Sequence, residues 1–226
     1  MGSLETDQTM MKIEFKYPGD RPLKILCVGA HSDDIEIGCG GTILKMLSDN
    51  CAIQIHWVVL SAGGDREKEA RESAERFLKG AVHKEVVIKT FRDSFFPYIG
   101  SQIKDFFEEM KKQFSPDLIF THFRHDLHQD HRLVSELTWN TFRDHLILEY
   151  EIIKYDGDLG TPNVFVRLSD EQARKKVRYL LEEFKTQGSQ GWFNEDAFMS
   201  IMRIRGLESN APGKFAEAFY GRKLVF

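Results

Sequence analysis

An α/β domain built on a doubly wound, mostly parallel sheet is predicted by three observations. Short apolar runs end in glycine or turn residues, amphipathic helical stretches lie between them, and the two kinds of segment alternate four times through about residue 144. Lys24 to Gly29 is a buried strand by its apolar run and terminal glycine. Gly40-Gly41-Thr42 opens a helical stretch that continues to about Ser48. Ile53 to Leu60 is a second strand, stopped by the turn residues Ser61 to Asp65. A charged helix follows from about Arg66 to Lys79, with Ala70, Ala74 and Phe77 on one face. Glu85 to Phe91 is the third strand, and Ile103, Phe106, Phe107 and Met110 mark the next helix by their spacing. Ser115-Pro116-Asp117 breaks that helix ahead of a fourth strand, Leu118 to Thr121, and a helix from His131 to about Asp144.

Beyond this point the pattern is less regular. Ile147 to Tyr155 and Asn163 to Arg167 could be two further strands. Ser169 caps a helix of about 17 residues with Glu171 near its start, and Asp196 to Arg205 could form a last helix. Residues 1–22 read as a flexible N-terminal segment, whose Met1-Gly2-Ser3 start is more consistent with an expression remnant than with a myristoylation signal. Residues 23–226 read as one domain.

Composition narrows the function classes. With 31 Lys and Arg against 35 Asp and Glu, the net charge of -4 excludes a general nucleic-acid binder. No apolar run approaches the roughly 20 residues of a membrane span, and no secretory signal is visible. The cysteines Cys27, Cys39 and Cys51 are odd in number and lack CxxC spacing, so neither a disulfide framework nor a thiolate metal site is suggested. A reducing, cytoplasmic location is the expectation.

In doubly wound sheets, ligands bind beyond the carboxyl ends of the strands, where strand order reverses. Two strand ends here deliver histidine together with carboxylate. The first ends in Gly29-Ala30-His31-Ser32-Asp33-Asp34, and the fourth ends in Thr121-His122-Phe123-Arg124-His125-Asp126-Leu127-His128-Gln129-Asp130-His131. Imidazole and carboxylate are the ligands zinc takes when thiolate is absent, and a catalytic zinc keeps one position open. His31, Asp34 and His131 could make such a set, leaving Asp33 beside the metal as a base, with His128 and Asp130 nearby. Gly38-Cys39-Gly40-Gly41 lacks both the GxGxxG spacing and a Walker lysine, so its glycines are expected to permit close packing rather than to cradle a phosphate.

The stretch Ala30-His31-Ser32-Asp33-Asp34-Ile35-Glu36-Ile37-Gly38-Cys39-Gly40-Gly41-Thr42 resembles the first motif of the LmbE-like (PIG-L) de-N-acetylases, usually AHPDD followed by glycines. Asp126-Leu127-His128-Gln129-Asp130-His131-Arg132 resembles the second, usually HPDH. Arg92-Asp93, and Arg205-Gly206 with Ala216-Glu217-Ala218-Phe219, resemble weaker family features. The resemblance implies a Rossmann-like fold, with the metal site at the carboxyl ends of the strands. It also implies one zinc per chain held by His31, Asp34 and His131. Asp33 would be the general base, His128 as imidazolium would meet the oxyanion, and Asp130 would orient His128. Arg66 and Asp93 would bind substrate. Ser32 and Gln129 stand where the family has prolines.

The function implied is removal of an acetyl group from the nitrogen of an amino-sugar conjugate: a glycoside, a glycolipid precursor or a nucleotide sugar. A catalytically inactive carbohydrate-binding protein of the same fold is the alternative. A phosphoester hydrolase would call for two bridged metals, and only one three-ligand set is evident. The sequence says nothing of oligomeric state.

Overall fold

The computed structural model describes residues 19–49 and 52–225. Residues 1–18 of the expected N-terminal segment, Asn50, Cys51 and Phe226 lie outside the described residues. The chain runs β1 (Leu23–His31), α1 (Asp34–Ser48), β2 (Ile53–Ser61), α2 (Asp65–Phe77), β3 (His83–Ile88), α3 (Gly100–Gln113), β4 (Leu118–His122), α4 (Gln129–Thr141), β5 (Leu146–Tyr150), β6 (Val164–Leu168), α5 (Asp170–Glu183), α6 (Glu195–Glu208) and β7 (Phe215–Gly221). Seven strands form one sheet in the order β3-β2-β1-β4-β5-β7-β6. The first five pair in parallel, as the alternation of strand and helix requires, whereas β7 runs antiparallel between β5 and β6.

Alternation along the strands builds two cores. On β1, Ile25 and Cys27 face one layer with α1, α2, α5 and α6, and Leu26, Val28 and Ala30 face the other with α3 and α4. All five of these β1 side chains are fully buried, and large apolar side chains so placed contribute about 1.5–3 kcal/mol each. Phe193 and Phe198 belong to the first core and Trp192 packs against it, so these aromatics fill space rather than face a ligand.

Four local expectations are corrected. The first helix begins at Asp34, not at Gly40, because the His31–Asp34 loop turns directly into it. The fourth helix spans Gln129–Thr141 rather than starting at His131 and running to Asp144, since His128 caps it. The strand expected over Ile147 to Tyr155 ends at Tyr150. Finally, Phe215–Gly221, not anticipated as a strand, is the central antiparallel member of the sheet's far end. Ser169 does cap α5, through a reciprocal pair of hydrogen bonds with Gln172. Among the described residues, no helix is long and apolar enough to cross a membrane.

The α1 glycines act as packing residues. A Cβ at Gly38 would lie 2.2 Å from the Tyr150 ring, so only glycine lets α1 lie this close to β5. Tyr150 then reaches under the helix, and its hydroxyl donates to Val28 O at 2.7 Å.

Candidate metal centre and active site

Strand order reverses between β1 and β4, which lie side by side with β2 and β5 on their outer flanks. β1 delivers His31, β4 delivers His122, and both strands feed helices whose first turns carry Asp34 and Asp130. The positive ends of two helix dipoles therefore meet these carboxylates. The two motifs, about a hundred residues apart in sequence, become one cluster.

Its geometry is that of a cation site. His31 Nδ1 lies 3.1 Å from His131 Nε2 and 3.4 Å from Asp34 Oδ2, and His131 Nε2 lies 3.5 Å from Asp34 Oδ1. Ligand atoms around a tetrahedral zinc with bonds of about 2.0–2.1 Å stand about 3.3 Å apart. The opposite ring nitrogens fix the tautomers. His131 Nδ1 faces Asp126 Oδ2 at 2.9 Å, and His31 Nε2 faces Asp93 Oδ1 at 3.1 Å. A carboxylate accepts only, so both of those nitrogens carry hydrogen. The two nitrogens that remain are lone pairs pointed at each other beside a carboxylate, which a proton or a metal ion must reconcile. The outer carboxylates are the usual partners of metal-bound imidazole. The donor set thus fits a zinc ion.

The electrostatics agree. Burial opposes a charge on His31, but Asp34, Asp130 and Asp93 outweigh it and hold its pKa well above the ordinary imidazole value. Burial and the neighbouring His122 push His131 down to about 4, so it stays neutral. Asp34, despite its burial, is held well below the carboxylate range by His131, His122 and His31. Asp33 is pushed up to about 6 by burial and by the charge of Asp34. It caps α1 without a side-chain capping bond.

Three groupings of donors in the cluster lie close enough to share an ion: His31, His128 and His131; Asp34, His122 and His131; and His31, Asp93 and Asp130. The expected trio spans the first two of these. His122 Nε2 lies between Ala30 N at 3.0 Å and Asp34 Oδ2 at 3.2 Å, and its ring stacks on His131 at 3.9 Å between ring centres. The sequence sets His122 and Asp126 in the second histidine and carboxylate cluster but assigns them no role. His122 is the last residue of a strand and Asp126 stands five residues before His131, but nothing in their spacing marks what they face.

His128 caps α4, with its Nδ1 accepting from Asp130 N at 3.3 Å. The hydrogen of a neutral ring is thereby left on Nε2. Burial and the nearby His31 hold the His128 pKa below the ordinary imidazole value. The expected link from Asp130 to His128 exists through the Asp130 backbone, not its carboxylate. That carboxylate, fully buried, accepts from Ser94 N at 2.6 Å and Phe96 N at 3.1 Å, and lies 3.5 Å from His31 Nε2. It thereby stabilises Ser94 in a left-handed conformation with φ 65°, a strain of about 1–3 kcal/mol for a residue with a side chain.

Arg66 and Asp93 come together on the open side of the cluster. Arg66 Nη1 lies 3.7 Å from Asp93 Oδ2, with both side chains partly exposed. Asp93 has a second role unforeseen in the sequence, since its Oδ1 partners His31. The segment Tyr155 to Gly160 is fastened beside the cluster, where Lys154 joins Asp126 at 3.1 Å to Asp158 at 2.5 Å.

The sequence signature of the GlcNAc-PI de-N-acetylase family (PIG-L) matches residues 26–142, just over half of the chain, and the chain belongs to that family. Its fold is shared with the conserved protein TT1542 of Thermus thermophilus, at 20% identity and a TM-score of 0.71 over 90% of this chain and 96% of that one. It is shared with the N,N'-diacetylchitobiose deacetylase of Pyrococcus horikoshii, at 20% identity and a TM-score of 0.63 over 89% and 84%. It is also shared with GalB, the 4-carboxy-2-hydroxymuconate hydratase of Pseudomonas putida, at 16% identity and a TM-score of 0.64 over 90% and 98%. A deacetylase and a hydratase on one architecture mean that the chemistry must be argued from the residues.

Proposed function

We propose that the protein is a zinc-dependent hydrolase that removes an N-acetyl group from an amino-sugar conjugate. The observation that carries this reading is the convergence of His31 Nδ1, His131 Nε2 and the Asp34 carboxylate, each imidazole with its other nitrogen committed to a carboxylate. Family membership supports the acetyl-amide substrate.

When bound, zinc supplies Lewis acidity, polarising the amide carbonyl and making water a nucleophile at neutral pH. Asp33 accepts a proton as the water oxygen bonds to the carbonyl carbon. His128 presents its Nε2–H to the oxygen that gains negative charge, with its ring held in the needed tautomer by Asp130 N–H. The C–N bond breaks as Asp33 returns the proton to nitrogen, giving acetate and the free amine. Arg66 and Asp93 offer a donor and an acceptor to the sugar hydroxyls.

The test compares neighbouring carboxylates. Asp33→Asn should keep about one zinc per chain and lose roughly two to four orders of magnitude in turnover. Asp34→Asn should lose zinc and recover partly when zinc is added. Rescue of Asp33→Asn by excess zinc would exchange the two roles. A zinc-loaded wild type that binds N-acetylated sugars yet releases no amine from any of them would favour the inactive carbohydrate binder.

A further inference from the structure

We propose that Ser32 and Gln129 are positioning residues that set the geometry of the substrate arm formed by Arg66 and the Asp93–Phe96 segment. This rests on the deacetylase reading given above. Both positions hold proline in the family pattern, and a proline side chain can neither donate nor accept a hydrogen bond. Here each carries a polar side chain aimed at the same arm. Ser32, fully buried between the two candidate ligands of the first motif, accepts from Arg66 Nε through its Oγ at 3.3 Å. Gln129 donates from Nε2 to Ser94 O at 3.2 Å.

The arm needs such restraints because its own chain supplies few. Arg66 and Asp93 are partly exposed, with side-chain exposures of 32% and 49%. Ser94 occupies a left-handed conformation that glycine would adopt more readily. Four hydrogen bonds oppose its relaxation: Ser94 N and Phe96 N to Asp130, Gln129 Nε2 to Ser94 O, and Ser94 Oγ to Asp93 Oδ1 at 3.1 Å. Gln129 and Asp130 therefore grip both polar groups of the Ser94 backbone from one helix terminus. The consequence reaches the reacting centre, because Asp93 Oδ1 also faces His31 Nε2. Where the family pattern stiffens its two loops by ring closure within the chain, this chain ties them sideways to the residues that meet the sugar. Ser32 and Gln129 act through Arg66 and Asp93, and neither is assigned contact with the reacting atoms.

Two readouts test this on the zinc-loaded full chain, with N-acetylglucosamine as the probe. Ser32→Ala and Gln129→Leu should each raise KM about fivefold, the worth of one hydrogen bond, with kcat within about twofold and zinc content unchanged. Ser32→Pro should match Ser32→Ala, since the hydroxyl and not loop stiffness is at stake. Independently of turnover, Gln129→Leu should speed amide hydrogen exchange at Ser94 and Phe96 about fivefold, and Ser32→Ala should not. Unchanged KM and exchange in Gln129→Leu would overturn the proposal for Gln129. Wild-type KM in Ser32→Pro would overturn it for Ser32, and loss of zinc in either variant would move that residue's role to the metal. If the wild type releases no amine, the deacetylase reading fails, and the exchange measurement still decides whether Gln129 holds the arm.

Discussion

Beside the middle of α1, Lys176 Nζ donates to Ile37 O and to Glu217 Oε1, each at 2.6 Å, while Glu217 accepts from Gly41 N at 2.8 Å and Thr42 N at 2.6 Å. At the start of the same helix, two imidazole nitrogens face each other across 3.1 Å beside Asp34. Both clusters are buried and charged, but only the first is closed. Its donors meet acceptors, and its ion pair grips both partners of one helical step, Ile37 O and Gly41 N. A second closed set joins Glu151 to Arg205 at 2.8 Å, with Gly160 and Tyr220 completing it. Closed clusters hold the antiparallel end of the sheet to α1, α5 and α6. The open one brings two ring nitrogens together beside a carboxylate, so a shared proton or a metal ion must complete it. Complete pairing marks architecture, and pairing that needs an added cation marks a candidate site.

The comparison can be broken most decisively at its open end. On the proposed ligand set, His131→Ala should reduce zinc from about one per chain to background, and deacetylation with it, as read by metal analysis and amine release. A fully zinc-loaded variant would show that the convergent lone pairs do not hold the metal. At the closed end, Lys176→Met should cost about 3–5 kcal/mol of stability, because Glu217 remains buried without its cation. Urea denaturation measures this, and zinc per folded chain should be unchanged. Near-native stability would mean that the backbone donors of α1 suffice for Glu217.

Smaller effects sharpen the boundary between the two kinds of cluster. Asp126→Asn removes the carboxylate behind His131 and should weaken zinc affinity about 10–100-fold without abolishing binding, as competition with a chelating dye would report. No change would separate Asp126 from the metal centre. The least effect belongs to charges in water. Arg71 bonds Glu67 one helical turn away at 2.8 Å with both side chains largely exposed, and Arg71→Ala should shift stability by no more than about 0.5 kcal/mol. A loss comparable to that of Lys176→Met would show that burial is not what distinguishes the clusters.

Much of the parallel half was legible because strand and helix there signal themselves locally. Apolar runs, glycine stops and helical spacing placed β1 to β4 and α2 to α4 within a few residues. The His31–Asp34 and His128–His131 motifs were legible because histidine and carboxylate recur at two strand ends. The far end was less so. Phe215–Gly221 carries Glu217 in its middle, which reads as a surface residue until Lys176 and the α1 amides are seen around it.

The sequence by itself determined the order of elements as far as α4, the expected doubly wound sheet and the two motifs, since each depends on neighbours within a few residues along the chain. Tertiary structure alone decided which atoms converge. It brought Asp126 behind His131 and Asp93 behind His31, set Asp130 on the Ser94 backbone instead of beneath His128, and gave Ser32 and Gln129 partners in Arg66 and Ser94. Hydrogen-bond direction and ring tautomer depend on what lies across a gap of about 3 Å, and those neighbours come from strands and loops that the chain visits tens of residues apart.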